Sequence, residues 1–376
     1  MTRIVRNIVL ATALVAATGT AFAARQGGAE PIVRNPLAIS MLADSSSAQA
    51  FMGQVDFKIT NNSRDVLKVP YWQLPGASEE SKLFQVYRNG KVATYLGPMI
   101  KRLAPTESDF VVFQPYETKV FSVDLSKSYD LGETGEYTVS FASMLNGAKT
   151  GKGQHVTDGN GRMASLKSAT LKLWVDGDNA LKALKGGVSS NAKPGGGGTS
   201  VDTVTGVTYV GCSSTQITGA NAGITQARVY TENAKGYLNG SNFLGLRYTT
   251  WMGAYLSSRY ITVTGNFVKI DAAMDQVGGQ IKINCGCNQK YYAYVYPNNP
   301  YEIFVCSAFW TAPTAGTDSK GGTLIHEMSH FTVVAATDDV VYGQSGAKSL
   351  AISNPDRAIQ NADSHEYFAE NTPFNY

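Results

Sequence analysis

Apolar and polar residues alternate in short runs along the first half of the chain, from about residue 36 to residue 174. The clearest runs are 53–60, 82–87, 119–125, 136–141 and 169–174. A period of two places successive side chains on opposite faces of a strand, and turns at this spacing are typical of an antiparallel sandwich. We therefore predict an all-β, sandwich-like N-terminal domain over residues 24–185.

The second half has longer amphipathic stretches with the period of a helix. Helices are predicted at 222–239, 260–277, 319–333 and 356–370, and short strands at 280–284, 291–296 and 302–308. This pattern favours a mostly α C-terminal domain over residues 201–376 with a small β element. Between the two predicted domains, residues 186–200 read GGVSSNAKPGGGGTS, a composition typical of a flexible linker.

The N-terminus has the features of a Sec-type signal peptide over residues 1–23. A basic start, MTRIVR, precedes a short apolar run and the sequence Ala21-Phe22-Ala23. An uncleaved membrane anchor is the alternative, but the run is too short to span a bilayer. We expect a secreted, extracellular protein without a membrane span, in which cysteines form disulfides. The chain has four cysteines, Cys212, Cys285, Cys287 and Cys306.

The overall composition excludes two classes of protein. The 376 residues include 32 Lys and Arg and 29 Asp and Glu, a net charge of +3, with 43% hydrophobic and 16% charged residues. This balance is neither that of a disordered charged chain nor that of a polybasic nucleic-acid binder. We therefore expect no nucleic-acid partner.

One motif carries metal chemistry, the sequence His326-Glu327-Met328-Ser329-His330. On a helix, residues four apart share one face, so both imidazoles can bind one Zn²⁺ while Glu327 lies beside the metal. Such an ion acidifies a water molecule and polarises a carbonyl group, and Glu327 would accept the proton. Two histidines on a solvated helix face are the alternative interpretation.

Two histidines leave such a site short of the three protein ligands that catalytic zinc usually has. The metzincin continuation is excluded, because the chain has Val333 and Ala336 where that class has Gly and His. A Glu from a later helix, Glu366 or Glu370, is one candidate for the third ligand. Asp339, nine residues after His330, is the other. The motif by itself leaves this choice open.

The motif and the residues after it resemble the deuterolysin-like aspzincins, and within them the peptidyl-Lys metalloendopeptidases. The similar segments are HEMSH, TDDVVYG at 337–343, GAKSL at 346–350 and NADSHEYFAEN at 361–371. The resemblance covers roughly residues 205–376, and it implies a zincin-type fold with one Zn²⁺ held by His326, His330 and Asp339. The chain departs from the family pattern at Ala336, where the family has Gly.

The resemblance also implies roles for further residues. Tyr342 would donate a hydrogen bond to the developing oxyanion, although ordinary turn packing is the alternative. Asp363 and Glu366, three residues apart on one helical face, would form an acidic pocket for a substrate Lys that follows the cleaved bond. A solvated acidic helix face is the alternative for this pair.

The resemblance implies two disulfides, Cys212 with Cys285 and Cys287 with Cys306. Four cysteines allow three connectivities, and the near neighbours Cys285 and Cys287 are unfavourable partners for each other.

Together these features predict a secreted zinc metalloendopeptidase that hydrolyses Xaa-Lys bonds in proteins or peptides. The N-terminal domain is interpreted as a propeptide that keeps the precursor inactive or assists folding. A retained binding module is the alternative for that domain. Two other hypotheses concern the whole protein: a zinc protease with Glu366 as third ligand and a different specificity, and a non-enzymatic secreted adhesin or toxin module.

Overall fold

The computed structural model describes residues 33–42, 52–181, 198–240 and 242–375. They belong to one compact unit, which contains a β-rich region followed by a helix-rich region. The predicted signal peptide and residues 186–197 of the predicted linker lie outside the described residues. Among the described residues, no helix has the length and apolar character needed to cross a membrane.

The N-terminal region is β-rich, as predicted. Its described strands, β1 to β14, are Val33–Arg34, Leu37–Leu42, Gln54–Asn61, Leu67–Pro70, Phe84–Arg88, Lys91–Val92, Met99–Lys101, Phe110–Phe113, Thr118–Asp124, Gly135–Met144, Lys149–Thr150, Val156–Thr157, Ser165–Lys167 and Leu171–Val175. Sheets β2-β3-β9 and β13-β10-β5-β6, in which β14 also pairs with β10, contribute apolar side chains to the core. The rings of Phe57, Phe84 and Phe141 meet there with centroids 5.3 to 6.1 Å apart.

The second region is helix-rich, also as predicted. Its described strands, β15 to β19, are Thr199–Val201, Thr208–Val210, Lys282–Asn284, Ala293–Val295 and Glu302–Val305. Its described helices, α1 to α8, are Ser214–Asn239, Leu246–Met252, Ser257–Met274, Ser307–Thr311, Lys320–His330, Gly343–Ser353, Pro355–Ala358 and Ala362–Glu370. Helices α1, α5 and α8 pack together and place the predicted metal-binding motif in the core.

The prediction of one helix over 356–370 is wrong, because the chain leaves the helix between α7 and α8. Backbone groups of Gln360 and Ala362 pair with Asp338 instead, at 2.7 and 3.0 Å. The side chain of Asn361 accepts hydrogen bonds from the backbone N–H groups of Val340 and Val341. The loop that carries Asp339 therefore docks against this interruption.

The small β element predicted for the second region is part of a larger sheet. Its order is β15-β16-β17-β19-β18-β7, so that strand β7, Met99–Lys101, comes from the N-terminal region. Strand β7 pairs antiparallel with β18 in a register that sets Lys101 opposite Ala293 and Ile100 opposite Tyr294. All three β7 residues are buried, so this strand lacks the alternation that identifies a strand in the sequence.

Two disulfides lie at the ends of strands in this six-stranded sheet. They join Cys212 to Cys285 and Cys287 to Cys306, the pairing that the family resemblance implies. Cys285 follows β17, and Cys306 follows β19 directly. The bonds therefore join the segments that follow β16, β17 and β19.

Candidate metal centre

Helix α5 carries the two motif histidines into the protein core. Its N-terminus is capped by Ser319, whose hydroxyl accepts a hydrogen bond from the Gly322 N–H at 2.9 Å. His326 and His330 lie one turn apart and are buried. The local sequence thus forms the helix, and the neighbouring helices remove its histidines from solvent.

Both histidines face the carboxylate of Asp339. The Nε2 atoms of His326 and His330 lie 3.0 and 3.3 Å from Asp339 Oδ1. These three buried atoms have no hydrogen-bond partner among the described residues. Ligand atoms of a tetrahedral zinc site are separated by about 3.3–3.6 Å, given metal–ligand bonds of about 2.0–2.2 Å. The donor set and its spacing therefore fit one Zn²⁺.

The loop from α5 to Asp339 turns sharply at Ala336. This residue has φ 51°, a left-handed conformation that costs a non-glycine residue roughly 1–2 kcal/mol. Hydrogen bonds on both sides stabilise the turn: the Ala336 N–H donates to Phe331 O and the Thr337 N–H to Ser329 O. Ala336 therefore adopts the conformation for which the family pattern has Gly.

The second nitrogen of each histidine also has a fixed neighbour. His330 Nδ1 donates to the Thr337 carbonyl at 2.8 Å. His326 Nδ1 lies 2.8 Å from Asp363 Oδ1 and 3.2 Å from Glu366 Oε2. Such neighbours orient metal-binding histidines and raise their basicity. They direct both Nε2 atoms towards Asp339.

Glu327 is fully buried beside this cluster, and its carboxylate oxygens have no hydrogen-bond partner among the described residues. Burial raises the pKa of Glu327 to about 7. A carboxyl group with such a pKa exchanges a proton readily near neutral pH, as general acid–base catalysis requires.

Tyr342 is half-buried, and its hydroxyl group donates a hydrogen bond to the carbonyl oxygen of Ile100 at 2.9 Å. Desolvation and the nearby carboxylate of Asp339 raise the pKa of Tyr342 well above its usual value. The hydroxyl group is therefore a proton-bearing donor at neutral pH. Asp339 contacts the same peptide segment, because its Oδ2 accepts from the Ile100 N–H at 2.9 Å.

Asp363 and Glu366 are buried on α8 and hold a lysine of the N-terminal region. Lys101 Nζ lies 2.6 Å from Glu366 Oε2 and 3.7 Å from Asp363 Oδ1, and the side chain is 1% exposed. Burial alone would lower the pKa of Lys101, but the carboxylates outweigh it and hold the pKa well above its usual value. The two acidic residues form a filled cation pocket rather than a solvated helix face.

A third carboxylate at this pocket, Asp318, has no recognisable signal in the sequence. Its Oδ1 accepts a hydrogen bond from Lys101 Nζ at 3.3 Å. Asp318 lies just before α5, far along the chain from Asp363, and no motif spacing connects the two. Its position at the pocket follows only from the packing of α5 against α8.

Two further ionisable residues of α8, the ligand candidate Glu370 and His365, have other partners. Glu370 accepts hydrogen bonds from the backbone N–H groups of Asp318 and Ser319 at the start of α5. His365 donates through Nδ1 to the Asn361 carbonyl and stacks on Phe267. Burial lowers the pKa of His365 to about 4, so this ring is neutral and structural.

The similarity of this chain to known proteins covers the residues of the candidate site. The family model described as lysine-specific metallo-endopeptidase matches residues 237–370. An extracellular protease from Aeromonas hydrophila is 38% identical over 85% of this chain and 88% of its own length. A peptidyl-Lys metalloendopeptidase from Pleurotus ostreatus is 53% identical over 44% of this chain and 98% of its own length.

Among solved structures, a zinc peptidase from Grifola frondosa is 43% identical and covers 44% of this chain and 100% of its own, with a TM-score of 0.42. The sequence relatives exclude the hypothesis of a non-enzymatic adhesin or toxin module. The chain belongs to the lysine-specific metallo-endopeptidase family of aspzincins and is a zinc metalloendopeptidase.

Proposed function

We propose that this zinc metalloendopeptidase cleaves proteins on the amino side of lysine and is made as a secreted precursor whose N-terminal region fills its substrate cleft. The observation that carries the proposal is the burial of Lys101 in the pocket of Asp363 and Glu366 beside the metal centre. Relatives that are named peptidyl-Lys metalloendopeptidases agree with this specificity.

The charge of the pocket supports a preference for lysine. Two carboxylates buried without a cation would incur a large desolvation cost, which an ammonium group between them offsets. Lys101 provides that group in the precursor, and a substrate lysine would provide it in the active enzyme. A neutral side chain in the same place would leave both charges unpaired, and the pocket would discriminate against it.

The backbone around Lys101 supports a substrate-like register. Strand β7 extends the sheet at β18, a mode by which extended peptides bind to sheet edges. With Lys101 in the pocket, the peptide bond before it is Ile100–Lys101. The carbonyl oxygen of Ile100 is the atom that accepts the hydrogen bond from Tyr342. This arrangement is the one expected for an Xaa-Lys bond at the catalytic centre.

The residues then have distinct roles. His326, His330 and Asp339 would hold one Zn²⁺, which when bound acidifies water and polarises the scissile carbonyl. Glu327 accepts the proton of the attacking water and later passes it to the leaving amine. The Tyr342 hydroxyl donates to the carbonyl oxygen as negative charge develops on it.

Occupation of the cleft would keep the precursor inactive. Because β7 belongs to the same chain, its effective concentration at the cleft is on the order of millimolar or higher, and free substrate competes poorly. A folding role for the region is compatible with this inhibition. A binding module retained in the mature enzyme is not compatible with it, because such a module would block substrate access.

Export through the predicted signal peptide agrees with the two disulfides and with the extracellular relative.

The alternative with Glu366 as third ligand has weaker support. In that alternative Glu366 would join both motif histidines at one ion. Glu366 Oε2 lies 3.2 Å from His326 Nδ1 and 2.6 Å from Lys101 Nζ. The Nε2 atoms of both motif histidines lie instead near Asp339 Oδ1, at 3.0 and 3.3 Å.

Digestion of a denatured protein tests the function. The full-length chain is produced, allowed to mature, and incubated with the substrate with and without a zinc chelator. Mass spectrometry then identifies the new N-termini, which we expect to begin with Lys and to vanish with the chelator. A Glu327→Ala chain is the control for contaminating proteases. A mixed set of termini would refute the lysine preference, and chelator-resistant cleavage would refute the metal mechanism.

A further inference from the structure

The cation in the pocket has more partners than the two acidic residues of α8. An ammonium group carries three hydrogen-bond donors and accepts none. Lys101 Nζ contacts Glu366 and Asp363, and it also donates to Asp318 Oδ1 at 3.3 Å. The third contact comes from the residue preceding the cap of α5, a different element of the fold.

Asp318 is held in place independently of the lysine. Its Oδ1 accepts a hydrogen bond from the Tyr367 hydroxyl at 2.8 Å, and its backbone N–H donates to Glu370 Oε2 at 3.2 Å. Its backbone has φ 52°, a left-handed conformation outside the helix that follows. A carboxylate fixed by its neighbours need not reorganise when a cation arrives, which favours binding.

Asp318 also differs from the other two carboxylates in exposure. Its side chain is 37% exposed, whereas those of Asp363 and Glu366 are 1% and 0% exposed. Asp318 therefore lies at the mouth of the pocket and Glu366 at its buried end. The rings of Tyr292 and Tyr367 flank the ammonium group, with centroids 5.0 and 5.7 Å from Nζ, within the range of cation–π attraction.

We propose that Asp318 is a specificity-determining residue of the lysine pocket, a third carboxylate that accepts a hydrogen bond from the substrate ammonium group. Tyr367 is its positioning residue. The proposal rests on the proposed function, because it assumes that the pocket filled by Lys101 receives the substrate lysine.

The test compares two peptides that differ only at the residue after the cleaved bond, Lys in one and Met in the other. The change Asp318→Asn keeps the shape of the side chain and removes its charge. For enzyme matured from the full-length chain, we expect kcat/KM for the Lys peptide to fall about tenfold, as for loss of one partly exposed charge-assisted hydrogen bond. For the Met peptide, kcat/KM should change less than about twofold, because the Met side chain has no charge that Asp318 could bind.

Control variants separate specificity from folding. Asp356→Asn makes the same chemical change at an 80% exposed side chain on α7. With this variant, kcat/KM for the Lys peptide and for the Met peptide should both equal the values of the unchanged chain. Tyr367→Phe keeps the ring and removes the hydroxyl group, and it should lower the Lys-to-Met ratio by a smaller factor. Zinc content should be the same in all variants. If Asp318→Asn does not fold, Asp318→Ser provides the same comparison.

The outcomes distinguish this inference from the proposed function. An unchanged Lys-to-Met ratio in the Asp318 variant, with a strong preference for Lys in the unchanged chain, would overturn the role of Asp318 alone. Absence of any Lys preference in the unchanged chain would instead refute the proposed function. A lowered ratio with unchanged zinc content supports the inference.

Discussion

At the scale of single residues, the candidate metal centre and the pocket that holds Lys101 have one side chain in common, that of Asp363. His326 faces Asp339 through Nε2 and Asp363 through Nδ1, while Asp363 also faces the Lys101 ammonium group. In the proposed function, this carboxylate would orient a metal-binding ring and contribute charge to the pocket for the substrate lysine. Lysine recognition and metal positioning would then be coupled through Asp363.

Substitution of the candidate third ligand tests this arrangement. In Asp339→Ala we expect zinc affinity to fall by more than about 100-fold, beyond the 10- to 100-fold typical of losing a residue that only orients a ligand. Glu366→Ala should retain more zinc, because Glu366 contacts His326 through the other nitrogen. Metal content of the purified chains after dialysis measures the difference.

Asp338→Ala is the matched control, since Asp338 adjoins Asp339 but pairs with Lys82. It should retain zinc. Full zinc in Asp339→Ala together with loss in Glu366→Ala would establish the alternative ligand set.

At the scale of elements, strand β7 links the two regions through one sheet. Its pairing with β18 places an extended segment across the candidate metal centre, where Asp339 and Tyr342 bind its backbone and the acidic pocket binds its lysine. The strand also covers an edge of β18 that would otherwise present unpaired backbone groups. Release of β7 would expose both this edge and the centre.

Reversal of the charge at Lys101 tests the inhibitory role of β7. A Lys101→Glu precursor would place a fourth acidic group against Asp318, Asp363 and Glu366 and lose a buried ion pair, a cost of about 3–5 kcal/mol. We expect the intact precursor to hydrolyse a short Lys peptide at least about tenfold faster than the unchanged precursor, as this cost weakens the bound state.

The measurement is the initial rate, with gel electrophoresis to show that the chain remains uncut. Lys91→Glu makes the same change at an exposed residue of the same region and should stay inactive. An intact Lys101→Glu precursor as inactive as the unchanged one would contradict the inhibitory role.

At the scale of the whole molecule, the two regions share one continuous core and several polar contacts. Lys82 forms an ion pair with Asp338 at 2.7 Å, and the Asn146 side chain donates to the Tyr342 carbonyl at 2.7 Å. The regions thus stabilise each other around the loop that carries Asp339. All four cysteines, and therefore both disulfides, lie in the helix-rich region.

The disulfides should differ in what they contribute to stability. The bond from Cys212 to Cys285 spans 73 residues and that from Cys287 to Cys306 spans 19. Loop-closure entropy then gives about 4 kcal/mol for the first and about 3 kcal/mol for the second. We expect the double variant Cys212→Ala, Cys285→Ala to unfold at a lower temperature than Cys287→Ala, Cys306→Ala, as measured by calorimetry. The reverse order would show that native-state contacts outweigh chain entropy here.

Local sequence determined much of the framework. The alternation at 53–60 and 119–125 predicted strands that the structure contains as β3 and β9, because a period of two depends only on neighbouring residues. The helix with His326 and His330 follows in the same way from the cap at Ser319 and the i, i+4 spacing. The prediction for 356–370 failed because pairing with Asp338, a tertiary contact, replaced helical hydrogen bonds.

Local sequence and the family resemblance were enough to predict the fold classes of the two regions, the helix that carries the metal motif and the zinc metalloendopeptidase activity. They did not predict that Lys101 enters the acidic pocket, that Ile100 lies against Tyr342 or that Asp318 joins Glu366 around one ammonium group. The cause is distance along the chain. Periodicity and capping act over a few residues, whereas these contacts join segments that meet only when the sheet closes and α5 packs on α8.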